Sequence, residues 1–310
     1  MKTTHLLASI LLLGQLHAAE PAPAVSKWEA AASSGNATAQ FQLGRTYFRG
    51  DGVAADKAKA HEWILKSAEQ GNPEAITSMG YFYSQGVVLE KDEAKAIEWF
   101  RKGAEAGSPK SQMNLGLMLR QGKTITLNHD ESMQWLEKAA SSGDPDAVRT
   151  LGQLYFLGDS LLMPAPQKSI PYLTIAAEAG DPASMNMLGV AYREGHTGSI
   201  DRDQAKVWFR KAAQLGEVKA QSNLGHILGV ESPASPDRKD ALKWLLIAKE
   251  QSEATSNKTY KELMHTFPPA LLAAAQKEAN KFLLLARAKS SKPVASPEEK
   301  QPANNSNPRE

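Results

Sequence analysis

The sequence predicts an all-α protein: an α/α right-handed superhelical solenoid of about six two-helix repeats of 36 residues, closed by a C-terminal helical cap. Three observations carry that prediction. Gly35, Gly71, Gly107, Gly143, Gly180 and Gly216 recur at spacings of 36, 36, 36, 37 and 36. A Leu-Gly or Met-Gly pair follows each of them at a fixed offset, from Leu43-Gly44 and Met79-Gly80 to Leu188-Gly189 and Leu224-Gly225. Five of the six tryptophans (Trp63, Trp99, Trp135, Trp208 and Trp244) form one column, in which Tyr172 fills the fourth place. Self-similarity at such a period marks stacked supersecondary units, because a two-helix unit cannot bury both of its faces alone.

The elements follow in order. Lys2, the short apolar run Leu6 to Leu16 and the small residues Ala18 and Ala19 have the layout of a secretory signal peptide, residues 1–18. The run falls short of the roughly 20 apolar residues that a spanning helix needs. The expectation is therefore an exported protein, periplasmic or secreted, with no integral membrane segment after cleavage. Residues 19–34 read as a leading half-repeat helix carrying Trp28. The six repeats run 35–70, 71–106, 107–142, 143–179, 180–215 and 216–250.

Within a repeat, Leu43, Gly44 and Tyr47 share one face of the first helix, and the glycine permits close approach by a neighbour. The second helix starts at a capping column of Asp56, Asp92, Asn128, Asp201 and Asp237, whose side chains can accept hydrogen bonds from the first free N–H groups. The repeat glycine suits a left-handed C-cap, and Pro73, Pro109, Pro145 and Pro182 follow in the first turn of the next helix, where a missing N–H does little harm. The tryptophan column, beside alanines at helical spacing, reads as core between repeats. The fourth repeat departs from this pattern: "LGDSLLMPAPQKSIPY" lacks the capping Asp and adds Pro166 and Pro171, so its second helix is expected to start late or kink. Two helical stretches, about Glu253 to His265 and Pro268 to Ala288, form a cap within 251–289, and the proline-rich polar segment 290–310 reads as a disordered tail.

These columns make the chain resemble the Sel-1-like repeat family, a relative of the tetratricopeptide repeats. The first repeat shows the pattern almost whole, as Gly35, Ala37, Ala39, Leu43, Gly44, Tyr47, Gly50, Gly52, Val53, Asp56, Lys59, Ala60, Trp63, Lys66 and Ala68. The likeness extends from about Gly35 to Ala248. It implies an adaptor or scaffold in which first helices line a concave groove, although repeat families share architecture more than activity.

Composition narrows the chemistry. A formal net charge of +2 gives no reason to expect nucleic acid as partner, and the absence of cysteine excludes disulfides, thiolate metal sites and a lipid-modified N-terminal Cys. His61-Glu62 opens like a zinc-protease motif, but Leu65 stands where the second histidine belongs. "RGDGV" lacks the Lys-Ser/Thr ending of a phosphate loop. His129-Asp130-Glu131 and His196 with Asp201 and Asp203 each offer a single histidine, and read as solvated loop residues. No cofactor is expected. The alternative function is an envelope enzyme that binds or hydrolyses β-lactams, as described for cysteine-rich proteins of similar repeats, yet the chain has neither their cysteines nor an S-x-x-K or K-T-G motif.

The reading is thus a non-enzymatic scaffold or adaptor of the bacterial cell envelope that binds a partner protein or peptide. Positions two before and two after the Leu of each Leu-Gly pair face away from its packing side. The candidate groove on them comprises Phe41, Arg45, Tyr81, Met113, Leu117, Arg149, Gln153, Asn186, Val190 and His226, apolar in its N-terminal half and polar beyond.

Overall fold

The computed structural model describes residues 23–121, 128–230, 237–251 and 254–290; among them there are fifteen helices and no strand. The expected signal peptide lies outside the described residues, as does the expected tail beyond Ser290. The chain divides into two compact units, Met1–Ala147 and Val148–Glu310. The first holds α1 (Pro23–Ser33), α2 (Ala37–Arg49), α3 (Lys57–Glu69), α4 (Pro73–Gln85), α5 (Glu93–Glu105), α6 (Pro109–Gln121) and α7 (His129–Ser141). The division falls near the start of α8 (Pro145–Leu157). The second unit continues with α9 (Pro166–Glu178), α10 (Pro182–Glu194), α11 (Arg202–Gln214), α12 (Val218–Gly229) and α13 (Arg238–Glu250), then α14 (Ala254–Met264) and α15 (Pro269–Ser290). Within each unit helices adjacent in sequence pack on one another, as α2 on α3 and α3 on α4, or α10 on α11 and α11 on α12, and α15 lies against α13.

The hairpin lock sits one residue past the tryptophan column. Ile64, Phe100, Leu136, Leu173, Phe209 and Leu245 are almost fully buried, and each presses on the glycine of its own Leu-Gly or Met-Gly pair. A Cβ added at Gly44 would lie 2.5 Å from Ile64 Cγ1, and one at Gly80 2.6 Å from two Phe100 ring atoms. The corresponding distances are 2.8 Å for Gly116 to Leu136, 2.9 Å for Gly152 to Leu173, and 2.6 Å for both Gly189 to Phe209 and Gly225 to Leu245. Glycine is required here by close approach rather than by backbone conformation. Burying each lock side chain contributes about 1.5–3 kcal/mol.

The tryptophans themselves depart from the expected core role. Trp244 is buried, but Trp63, Trp99, Trp135 and Trp208 are only half-buried. Each of these four carries on its face the ammonium of the lysine one turn later: Lys66 at 4.6 Å, Lys102 at 4.6 Å, Lys138 at 4.8 Å and Lys211 at 4.2 Å from the ring centroid. One helical residue is a turn of about 100°, so when the lock residue points into the hairpin the indole lies on its flank. A cation over an indole adds about 0.5–1 kcal/mol at such an exposed position.

Caps and turns follow the sequence, with one loss and one gain. Asp56, Asp92, Asn128 and Asp201 accept hydrogen bonds from backbone N–H groups in the first turns of α3, α5, α7 and α11. Asp237 does not cap α13 in this way. A second capping column directly after the repeat glycine serves the first helices: Asn36, Asn72, Ser108, Asp144 and Asp181 accept from Ala39, Ala75, Ser111, Ala147 and Ser184 N–H. The six repeat glycines all have positive φ, between 81° and 100°, which side chains with a Cβ rarely adopt.

The fourth repeat is more regular than its sequence suggests. Its second helix, α9, has the 13 residues of its counterparts and runs through Pro171. Pro166 in its first turn needs no N–H partner, and the helix starts without a side-chain cap while the turn leading into it keeps the backbone bond of its counterparts. The Ala165 N–H donates to the Tyr155 carbonyl at 2.7 Å, as Asp56 does to Tyr47, Asp92 to Tyr83 and Asp201 to Tyr192. Asp159 closes the preceding loop by accepting from the N–H groups of Leu161 and Leu162. Tyr172, in the tryptophan column, stacks on Tyr155 at 5.9 Å.

Candidate partner-binding clefts

In the first unit an open cleft of about 540 Å³ lies on the first helices of three consecutive repeats, α2, α4 and α6. Phe41, Phe48, Ile64 and Phe82 make it apolar, and Phe48 and Phe82 stack at 5.5 Å. Tyr81, Thr77 and Ser78 of α4 form a wall, with Ser108, Lys110 and Asn114 from the α6 end. Arg45, Arg49 and Glu74 complete the lining.

Three of the ten expected groove residues meet here. Tyr81 is 50% exposed and lines the cleft. Arg45 lies half-buried with its guanidinium 5.6 Å from the Phe41 ring centroid. Phe41 itself corrects the expectation of an exposed strip: only 5% of it is accessible, because it packs with Ile64, Ala68, Ala75, Ile76 and Met79 under the cleft. Met113 and Leu117, both half-buried on α6, are not part of this lining.

A second, smaller cleft in the other unit is lined by Phe156, Leu157, Asn186, Met187, Val190, Ser222 and Asn223, among others. It includes the expected residues Asn186 and Val190. Asn186 is 8% exposed, contrary to the open surface position expected of it, and its side-chain oxygen accepts from Asn223 Nδ2 at 2.9 Å. Arg193 donates in turn to Asn223 Oδ1 at 3.3 Å. Exposed Arg149 and half-buried Gln153 and His226 do not line this cleft.

The sequence reading missed Phe48, Arg49, Glu74 and Lys110. The signal was faint: Phe48 and Arg49 end α2 beyond the columns taken as groove, and Glu74 and Lys110 occupy first-turn positions that read as ordinary solvated charges.

Other chemistry is sparse. Burial lowers the pKa of His61, whose Nε2 has no hydrogen-bond partner. Arg101 hydrogen-bonds to Glu131 and holds that carboxyl below its ordinary range, with Trp135 Nε1 donating to the same oxygen at 3.2 Å. Among the described residues no cluster of three or more His, Asp or Glu is placed to hold a metal ion, and no helix is long and apolar enough to cross a membrane.

Comparison with known proteins finds the same number of repeats at the same period. The Sel1 repeat model matches six times in succession, at 37–72, 73–108, 109–144, 145–181, 182–217 and 218–253. Comparison with curated proteins found no match. Among solved structures, c5321, a protective antigen present in uropathogenic Escherichia coli strains and displaying an SLR fold, is similar with a TM-score of 0.71 and 28% identity. The match covers 90% of this chain but 61% of that one, so the chain spans about three fifths of the antigen's length. A Sel1 repeat protein from Oxalobacter formigenes is similar with a TM-score of 0.58 and 28% identity, covering 73% of this chain and 99% of that one. Sel1 repeat proteins are generally protein-interaction scaffolds, and their solenoid fold is typically non-catalytic. Six consecutive repeat matches, the glycine-locked hairpins and these solved relatives place the chain in the Sel1 repeat family.

Proposed function

We propose that the protein is an exported, non-enzymatic scaffold of the bacterial cell envelope that binds a partner protein or peptide through the cleft on α2, α4 and α6. The observation that carries this reading is Tyr81. A large aromatic left half-exposed over an apolar floor costs free energy in a monomer, and its rigid ring with a polar tip suits an interface anchor. Export is supported by the N-terminal pattern of Lys2, the apolar run and the paired alanines. Protein recovered from envelope fractions with Met1 intact would contradict the export part.

The binding reading is tested by affinity capture from envelope extracts, using the wild-type protein and Tyr81→Ala side by side. The expected result is at least one protein retained by the wild type and lost with Tyr81→Ala, with unchanged helical content and melting. Truncating an anchor of this kind costs about 2 kcal/mol or more. The same set of captured proteins on both would contradict the proposal.

A further inference from the structure

The geometry points to a peptide that combines an apolar side chain with flanking carboxylates as the occupant of the first-unit cleft, an inference that rests on the reading of this cleft as a partner site. Charge is the first argument. Arg45, Arg49 and Lys110 line the cleft against the single acid Glu74, and none of the three has an ion-pair partner among the described residues. Cations elsewhere in the same unit are commonly matched: Lys59 with Asp56, Lys66 with Glu62, Lys95 with Asp92 and Arg101 with Glu131. The cleft therefore collects positive charge that the chain itself leaves uncompensated, and a low-dielectric floor strengthens its pull on an anion.

The hydrogen-bond inventory is the second argument. The neutral polar side chains of the wall already spend their donors within the protein. Thr77 Oγ1 donates to the Pro73 carbonyl at 2.8 Å, Ser78 Oγ to the Glu74 carbonyl at 2.8 Å and Asn114 Nδ2 to the Lys110 carbonyl at 2.8 Å. What remains to face a ligand as donors is chiefly the three cations, with the Tyr81 hydroxyl and the second Asn114 amide hydrogen beside them. Such a cleft matches a ligand rich in acceptors, and charge-assisted bonds from Arg to carboxylate are the strongest and most directional of these. The apolar part of the ligand is set by the stacked Phe48 and Phe82 rings and by Tyr81, against which an aliphatic or aromatic side chain loses part of its hydration.

The test uses the purified full-length protein and fluorescein-labelled peptides of about ten residues, each roughly 33 Å when extended. All carry a central Phe-Leu pair, flanked by glutamates, glutamines or lysines. Fluorescence anisotropy should give about tenfold tighter binding for the glutamate peptide than for the glutamine one, with the difference shrinking at high salt. Arg45→Glu combined with Arg49→Glu should lose the glutamate peptide and gain the lysine one. Lys110→Glu, exposed on another helix, should weaken the glutamate peptide independently. Equal binding of the glutamine or lysine peptide, or charge reversals without effect, overturns the acidic assignment. If Tyr81→Ala still abolishes that binding, the cleft reading stands. If no peptide of the three binds, both fall.

Discussion

At Gly80 a methyl group would meet the Phe100 ring 2.6 Å away, well inside any real carbon–carbon contact. Gly80→Ala should therefore cost about 1–3 kcal/mol by overpacking. The cost should largely vanish in a Phe100→Ala background, where the ring is gone, and urea denaturation of the four proteins of that cycle measures the coupling. A second residue-scale prediction concerns Gln112. In the first and sixth repeats the buried Gln40 and Gln221 donate to the Ala32 and Ala213 carbonyls, and their oxygens accept from Gln70 and Gln251 thirty residues on. Gln112 donates likewise to Ala104, but its Oε1 is buried without a partner, and position 142 holds a serine too short to reach it. Ser142→Gln should stabilise the protein by about 1 kcal/mol, seen as a higher melting temperature, whereas the same change with Gln112→Met should give no gain.

At the scale of the helix, the tryptophan column and the residue after it exchange the roles that periodicity suggested. Phe100→Ala should cost about 3–5 kcal/mol, as for a fully buried aromatic. Trp99→Ala should cost clearly less, because half the indole already lies under Lys102 and solvent. Equal urea midpoints for the two variants would contradict this assignment. The two-helix period, the positive-φ glycines and the first-turn prolines were legible in the sequence because each answers a backbone requirement that few residue types meet. The lock was not, because Ile64, Phe100, Leu136, Leu173, Phe209 and Leu245 vary in type while their conspicuous tryptophan neighbours hardly do. Pro171 misled for a different reason: propensity argued for a break, but Leu173, Ala176 and Ala177 bury a full face of α9 and hold the helix across the missing hydrogen bond.

For the whole molecule, stacking repeats makes stability a matter of neighbours and leaves function to the positions that stacking does not use. Of the groove residues read from the wheel, Tyr81, Arg45 and Phe41 line one cleft and Asn186 and Val190 another, but Phe41 and Asn186 are themselves buried. A wheel gives the direction of a side chain from its own helix axis but says nothing of what the next helix places over it. Phe41 is buried in one cluster with its hairpin partner's Ile64 and with Ala75, Ile76 and Met79 of α4, the next helix along.

Site-specific photocrosslinking tests the central claim that a partner docks on this cleft. A benzoyl-phenylalanine replaces Tyr81 in one protein and exposed Lys102 on α5 in another, and both are irradiated in the envelope fraction. The account predicts a discrete higher-mass adduct from position 81 and none from position 102, with the adduct at 81 lost when Arg45 and Arg49 are both changed to glutamate. Adducts from position 102 alone, or the same adduct from both positions, would contradict it.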